Sequence, residues 1–264
     1  MLTDQMATGE SGRSSPSPST DLHDKSVVLT GASGGLGRIL ASAFSQAGAS
    51  LALVGRSRER LELLAKSLPG ESRIYAGDVR NPQFNDTVAL SVASDFGGLD
   101  VWISNAGISP VLVSPADMDP TVWKDIIDSN LSGAFFGAQS AIRVMGSGGR
   151  IIFTGSVLGE RPRSGLSAYS ASKAGLVGVM KSLALDLGSR GITVNLVAPG
   201  WFDSPLSAAW KANEDLEKQV LDHTATGRWG LDVDLPGAYL YLASSAAAFV
   251  TGAVIAVDGG YLLT

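Results

Sequence analysis

Short apolar runs alternate with longer stretches of helical periodicity through most of the chain, and glycine or proline marks nearly every junction. Residues 25–30 form an apolar run that stops at glycines, which predicts a buried strand. Residues 38–47 read as a helix ended by Gly48. The pattern repeats: a strand at 50–54, a helix at 57–68 closed by Pro69-Gly70, and a strand at 73–76 leading into Gly77-Asp78-Val79. Asn81-Pro82 opens a helix to about residue 96, and a fourth strand at 99–104 leads into Asn105-Ala106-Gly107. A long helical region at 121–145 carries Asn130. A fifth strand at 149–154 ends at Gly155-Ser156, and a proline-free helix covers 165–187. The sixth strand, 192–197, leads to Pro199-Gly200. Residues 201–230 then break the rhythm with a polar, partly helical insertion. A helix at 233–243 and a last strand at 253–257 complete the chain. Strands and helices alternating at this spacing predict right-handed βαβ units and a parallel sheet, an α/β domain over residues 25–264.

Composition adds bounds. The 264 residues carry a formal charge of -5 and 17% charged side chains, with no basic cluster to meet nucleic-acid phosphates. Cysteine is absent, so no disulfide or thiolate chemistry is available. The two histidines, His23 and His223, are far apart and have no second ligand at metal spacing, so no metal site is expected. No apolar run approaches the ~20 residues of a membrane span. Residues 1–24 are rich in Ser, Thr, Gly and Pro, include Asp4, Glu10 and Asp21, and contain no apolar core of a secretory signal. They are expected to be a disordered tail on a cytoplasmic protein.

In open α/β sheets, ligands bind beyond the carboxyl ends of the strands. Residues 31–37, Arg56, Asp78, Asn105, Ser156 and Pro199 all follow strand ends, so they should line one crevice. Strand, glycine turn and helix together make a phosphate cradle, because glycines admit a pyrophosphate and the helix start offers free N–H groups. The second strand ends Leu53-Val54-Gly55-Arg56-Ser57, with no acid to accept ribose hydroxyls. Arg56 can instead pair with a 2′-phosphate, and Ser57 can add a hydrogen bond. Tyr169 and Lys173, four apart on a helix, share one face. An ammonium beside a phenol favours the phenolate, so the pair can exchange a proton with a substrate oxygen near neutral pH. Taken alone, that spacing is more often structural.

Taken together, the motifs Thr30-Gly31-x-x-x-Gly35-x-Gly37, Asp78-Val79, Asn105-Ala106-Gly107, Asn130, Ser156, Tyr169-x-x-x-Lys173 and Pro199-Gly200 resemble the short-chain dehydrogenase/reductase family from Lys25 to the C-terminus. The resemblance implies a single-domain Rossmann fold, a doubly wound seven-stranded parallel sheet flanked by helices. It implies an NAD(P)-dependent oxidoreductase moving a hydride between nicotinamide and a secondary alcohol or ketone. Tyr169 would be the general acid or base, and Ser156 would hold the substrate oxygen. Lys173 would bind the nicotinamide ribose and lower the Tyr169 pKa, and Asn130 would hold a relay water. The cofactor would lie along Gly31, Ser33, Gly34, Gly35, Leu36, Gly37, Arg56, Ser57, Asp78, Val79, Asn105, Ala106, Gly107, Tyr169, Lys173, Pro199 and Gly200. Arg56 favours NADP(H). Gly34, standing where many NADP-preferring relatives have a basic residue, keeps NAD(H) open.

Substrate contacts are expected from Ile108, Ser156, Leu158, Trp201 and Phe202, with Leu206, Trp210 and Trp229 of the insertion nearby. Arg161 and Arg163 could meet a carboxylate. Thr226-Gly227-Arg228-Trp229-Gly230 resembles the gluconate 5-dehydrogenase-like branch, so a sugar acid, a polyol or a cyclic ketone is expected. A cofactor-binding regulator without turnover and a non-redox enzyme of the same fold are the other readings. The first has no use for a proton relay, and the second usually carries a larger C-terminal domain. Small residues at Gly133, Ala134, Gly137, Ala138 and Ala141, and at Ala171, Ala174, Gly175 and Gly178, suggest helices that pair between subunits, as in the family's usual homotetramer.

Overall fold

The computed structural model describes residues 20–109 and 112–264. Most of the expected tail lies outside the described residues. Its last part belongs to the domain: Leu22 is fully buried in the core, and His23 packs against Gly48.

Seven strands form one parallel sheet in the order β3-β2-β1-β4-β5-β6-β7. They are β1 Ser26–Thr30, β2 Ser50–Gly55, β3 Ser72–Ala76, β4 Val101–Ser104, β5 Arg150–Thr154, β6 Thr193–Pro199 and β7 Val254–Val257. The chain order reverses direction across β1 and β4, which pair in register from Val27 with Val101. That reversal opens the crevice where ligands of such sheets bind.

Alternate side chains of each strand enter different cores, as a period of two requires. Val27, Leu29, Leu51, Leu53, Val101 and Ile103 face helices α1 (Gly35–Gln46), α2 (Arg58–Ser67) and α9 (Pro236–Ala243). Val28, Ala52, Val54, Trp102, Ile151 and Phe153 face α3 (Pro82–Asp95), α5 (Gly133–Val144) and α6 (Ser167–Leu187). With both faces covered, the middle positions of the inner strands are mostly apolar on both sides, and buried polar residues such as Arg150 and Asn195 find hydrogen-bond partners. This is why they read as runs and not as alternations.

Three elements depart from the pattern-based reading. The first helix begins at Gly35 instead of residue 38, so the end of the glycine turn is already helical. The long helical region expected over 121–145 is helical throughout, but as α4 (Pro120–Ile127), a π-helical turn at Asp128–Ser132 and α5. The helix expected from residue 233 starts at Pro236, after a 3₁₀ turn at Asp232–Asp234, because proline favours the first helical position. The insertion contains α7 (Ala208–Lys211) and α8 (Glu214–Asp222).

The small residues of α5 serve the domain's own interior. Gly133, Ala134, Gly137, Ala138 and Ala141 are all buried, and a Cβ on Gly137 would stand 2.7 Å from the Trp102 ring. Leu176 and Met180 of α6 are also core residues, whereas Ala171, Ala174 and Gly178 are exposed. Among the described residues, no helix is long and apolar enough to cross a membrane.

Candidate active site and nucleotide cleft

The glycine turn is built by close approach. Gly31 has φ +66°, and a Cβ there would meet the Ala106 backbone at 2.8 Å. A Cβ on Gly37 would lie 2.1 Å from the Gly31 carbonyl oxygen. The α1 N-cap, Gly34, has no side-chain cap, so the first-turn N–H groups remain available to an anion. Thr30 fixes the adjoining wall: its hydroxyl accepts from the backbone N–H of Asn105 (2.9 Å) and Ala106 (3.0 Å). The Asn105 amide in turn donates to the Thr30 carbonyl at 3.0 Å.

One cavity of about 870 Å³ runs from this turn to the insertion. The residues expected to hold the cofactor all line it, as do Ile108, Ser156, Leu158, Trp201 and Phe202, whereas Asn130 lies just behind and Arg161, Arg163 and Trp229 are outside its lining. Arg56 is exposed at the end of β2. The Ser57 hydroxyl caps α2 by accepting from the Arg60 N–H at 3.3 Å, so the residue also serves its own helix. The Asp78 carboxylate is paired with Arg80 at 2.6 Å, and that hydrogen bond holds its pKa below the usual range.

The catalytic candidates meet around Gly107. A Cβ there would lie 3.3 Å from Asn130 Oδ1 and 3.6 Å from Lys173 Nζ. Lys173, 5% exposed, donates from Nζ to the Thr154 carbonyl at 2.8 Å. Burial lowers its pKa from 10.5 to about 8. Burial also pushes the Tyr169 phenol above its ordinary value, and a hydrogen bond with Ser156 works in the opposite direction. Lys173 Nζ stands 5.7 Å from the Tyr169 ring centroid. Desolvation therefore outweighs the expected lowering of the phenol by the ammonium. The Ser156 hydroxyl accepts the Leu158 N–H at 3.1 Å, which fixes its position at the end of β5.

Asn130 sits in the π turn, a backbone form frequent at functional sites. Its Oδ1 accepts from Ile108 N (2.8 Å), and Nδ2 donates to Ile108 O (2.8 Å) and Ser172 Oγ (3.1 Å). Both amide protons are thereby used, and the side chain ties the loop after β4 to α6. Two site residues escaped the sequence reading. Thr154 contributes its carbonyl to Lys173, and its hydroxyl contacts Asn105 Oδ1 (3.3 Å) and the buried Tyr239 hydroxyl (2.9 Å). Thr154 could have been found from its place before Gly155-Ser156. Nothing local marks Tyr239.

The insertion folds over the other end of the cavity. Trp201 packs against Trp210 with centroids 4.7 Å apart and rings tilted by 50°, and meets Trp229 edge to face at 5.9 Å. Trp201, Phe202, Leu206 and Trp210 line the cavity, whereas Trp229 packs behind Trp201. A Cβ on Gly230 would meet the Phe202 ring at 2.5 Å, and Arg228 pairs with Asp234. Arg161 and Arg163 are not placed to receive a substrate carboxylate. Arg161 donates to the Tyr261 carbonyl at 2.8 Å, and Arg163 Nε donates to the Tyr261 hydroxyl at 2.9 Å. Asp258 is structural: its carboxylate accepts the N–H groups of Gly260 and Leu262.

A strand-turn-helix phosphate cradle, a topological switch point and a Ser-Tyr-Lys cluster at one cavity define a nucleotide-dependent oxidoreductase. A family model described as Enoyl-(Acyl carrier protein) reductase matches residues 31–262. The chain belongs to the short-chain dehydrogenase/reductase family. It is 35% identical over 240 residues to the 3-oxoacyl-(acyl-carrier-protein) reductase FabG of Escherichia coli (strain K12), covering 89% of this chain and 96% of that protein. A solved dehydrogenase/reductase from Sinorhizobium meliloti 1021 superposes with TM-score 0.86 at 34% identity, over 92% of this chain and 96% of the other. A structure described as an NAD(P)-dependent gluconate 5-dehydrogenase from Beutenbergia cavernae, with NADP bound at low occupancy, superposes with TM-score 0.86 at 31% identity, over 93% and 99%.

The depressed Lys173 pKa makes a stability prediction. Between about pH 8 and 10.5 the unfolded chain holds the Lys173 proton and the folded chain has released it. Unfolding free energy should therefore rise across that window, by on the order of 3 kcal/mol from this group. Urea unfolding of wild type and Lys173→Met at pH 7.5 and 10 checks this, as the rise should be missing from the variant. Parallel pH trends in the two proteins would show that Lys173 is not depressed.

Proposed function

We propose that this enzyme interconverts a ketone and its secondary alcohol with NADP(H), Tyr169 acting as general acid in reduction and general base in oxidation. The observation that carries the reading is the convergence of Ser156, Tyr169 and Lys173 on the floor of a cavity whose other end is a phosphate cradle, with Asn130 just behind that floor beside Gly107. A bound nicotinamide supplies the hydride to the carbonyl carbon or receives it from the alcohol. The chain's own groups handle the oxygen. The Tyr169 hydroxyl gives its proton to the carbonyl oxygen while the Ser156 hydroxyl donates a hydrogen bond to the same atom, where negative charge develops. Lys173 would then hold the ribose hydroxyls and support the phenolate left behind. Asn130 holds the loop and α6 so that a water can pass a proton to Lys173. A regulator without turnover has no use for this set.

NADP(H) is favoured because the cations Arg56 and Arg60 line the cavity beyond β2, with no carboxylate following that strand to repel a 2′-phosphate. Arg56 is also close enough to Asp78 to help keep that carboxylate ionised. A homotetramer is the assembly we favour. Its support is the exposed small-residue face of α6 at Ala171, Ala174 and Gly178, with Leu185 86% exposed and Phe249 fully exposed elsewhere on the surface. Ala138 is not part of that face, because it is sealed inside the domain.

Three measurements test these proposals. Tyr169→Phe should lower turnover of NADPH-dependent ketone reduction by at least ~10²-fold while cofactor still binds, the usual cost of losing general acid–base catalysis. Near-normal turnover in the folded variant would remove Tyr169 from the chemistry. Arg56→Ala should weaken NADPH by about ten- to a hundredfold and leave NADH nearly unchanged, since a charge-assisted contact is worth ~1.5–3 kcal/mol. Equal weakening of both cofactors would count against a 2′-phosphate contact. In light scattering, wild type should have the mass of four chains and Gly178→Glu a smaller one. A single-chain mass for wild type would reject the tetramer.

A further inference from the structure

The cavity is chemically divided. Its cations other than Lys173 are Arg38, Arg56, Arg60 and Arg80, all beside the glycine turn, β2, α2 or Asp78. The opposite end, around Tyr169, is walled by Leu158, Leu166, Trp201, Phe202, Leu206 and Trp210. Among the described residues, that end has no carboxylate, no side-chain amide and no arginine. The two arginines nearest in sequence are already used. Arg163 is bonded to the Tyr261 hydroxyl, and its guanidinium lies 5.3 Å from the Trp210 ring centroid and 5.8 Å from that of Trp201. Arg161 holds the Tyr261 carbonyl, and its guanidinium lies 5.2 Å from the Tyr261 ring centroid. Both therefore brace the aromatic wall from behind.

The hydroxyls that the insertion brings to this end, Ser204 and Ser207, are also committed. Ser207 donates to the Phe202 carbonyl at 2.5 Å, and Ser204 shares a hydrogen bond with Ser207. The indole N–H of Trp201 is buried without a partner, so this ring offers the cavity carbon and not a donor. A carboxylate seated here would lose its water and find no arginine and no cation but Lys173, which already donates to the Thr154 carbonyl, and a polyol would lose several hydrogen bonds for the two that Ser156 and Tyr169 provide. An apolar body loses nothing on entering and gains contact with the adjoining rings of Trp201 and Trp210.

From this division we infer that the substrate is an uncharged ketone carried on an apolar ring system, seated against Trp201 and Trp210, and that sugar acids and polyols are excluded. The inference rests on the proposed reduction at Tyr169. In the balanced step, the ketone takes a hydride from NADPH at carbon and a proton from Tyr169 at oxygen. The products are the secondary alcohol and NADP⁺, and solvent restores the Tyr169 proton.

The test uses the full chain with NADPH and three substrates: 2-decalone, 5-keto-D-gluconate and an acetoacetyl thioester of pantetheine. Calorimetric titration of the NADP⁺-loaded enzyme with 2-decalone gives a binding readout independent of turnover. The expected results are a kcat/KM for 2-decalone at least about a hundredfold above that for the keto acid, and measurable binding of 2-decalone. Trp210→Ala should raise the KM for 2-decalone at least about tenfold, and Trp210→Phe should restore most of it, since an aromatic face is what the ring needs. Equal or better turnover of the keto acid would overturn the inference and leave the Tyr169 chemistry standing. A preference for the thioester would overturn the ring body alone. Binding of 2-decalone with no turnover of any ketone would reject the proposed reaction and keep the apolar site. No binding and no turnover would reject both.

Discussion

An ammonium group moved from water into a protein interior loses several kcal/mol of solvation unless the structure replaces it. Lys173 is held in that position, and its surroundings are arranged to make it tolerable. The Thr154 carbonyl at the end of β5 accepts one of its protons. The Thr154 hydroxyl is in turn fixed between Asn105 and Tyr239, so the acceptor cannot drift. Gly107 lets the loop after β4 pass close to Nζ, and Asn130 clamps that loop through both polar backbone atoms of Ile108. Strands β4 and β5, helices α6 and α9 and the π turn thus converge on one amino group. The phenol of Tyr169 is buried in the same region, so its proton affinity is set by desolvation and by Ser156.

Close approach without side chains is the second constraint. The cradle needs Gly31 and Gly37 because the backbones of β1, α1 and the loop after β4 lie nearly in contact. The same economy appears deeper in the sheet, where Gly137 makes room for the Trp102 ring. Such sites tolerate no added methyl group, since interiors are packed like organic crystals. Small residues in a helix therefore carry two meanings. In α5 they admit the domain's own sheet, and in α6 part of the stripe faces outward.

The cleft separates its two tasks by chemistry. Arginines gather where phosphates would lie, and indoles gather where the substrate would lie. Tyr261 keeps the second group in place. It is almost fully buried, carries Arg161 and Arg163 on its polar atoms, and stands 6.2 Å from Trp201 between ring centroids. The last residues of the described chain in this way brace the aromatic wall from behind.

The amino-acid sequence by itself determined the alternation of strands and helices, the parallel sheet and the order of the motifs, because these follow from local periodicity and from glycine and proline at fixed places. It also placed Gly31 to Gly37, Ser156, Tyr169 and Lys173 on one crevice, since each follows a strand end or lies on the helix after one. It could not show that the Asn130 region turns through a π bulge, that Tyr239 reaches Thr154 across 85 residues, or that Arg161 and Arg163 spend their charges on Tyr261. Only the tertiary structure decided those points. Hydrogen-bond partners distant in sequence compete for the same donor, and the winner is set by which groups packing brings within about 3 Å.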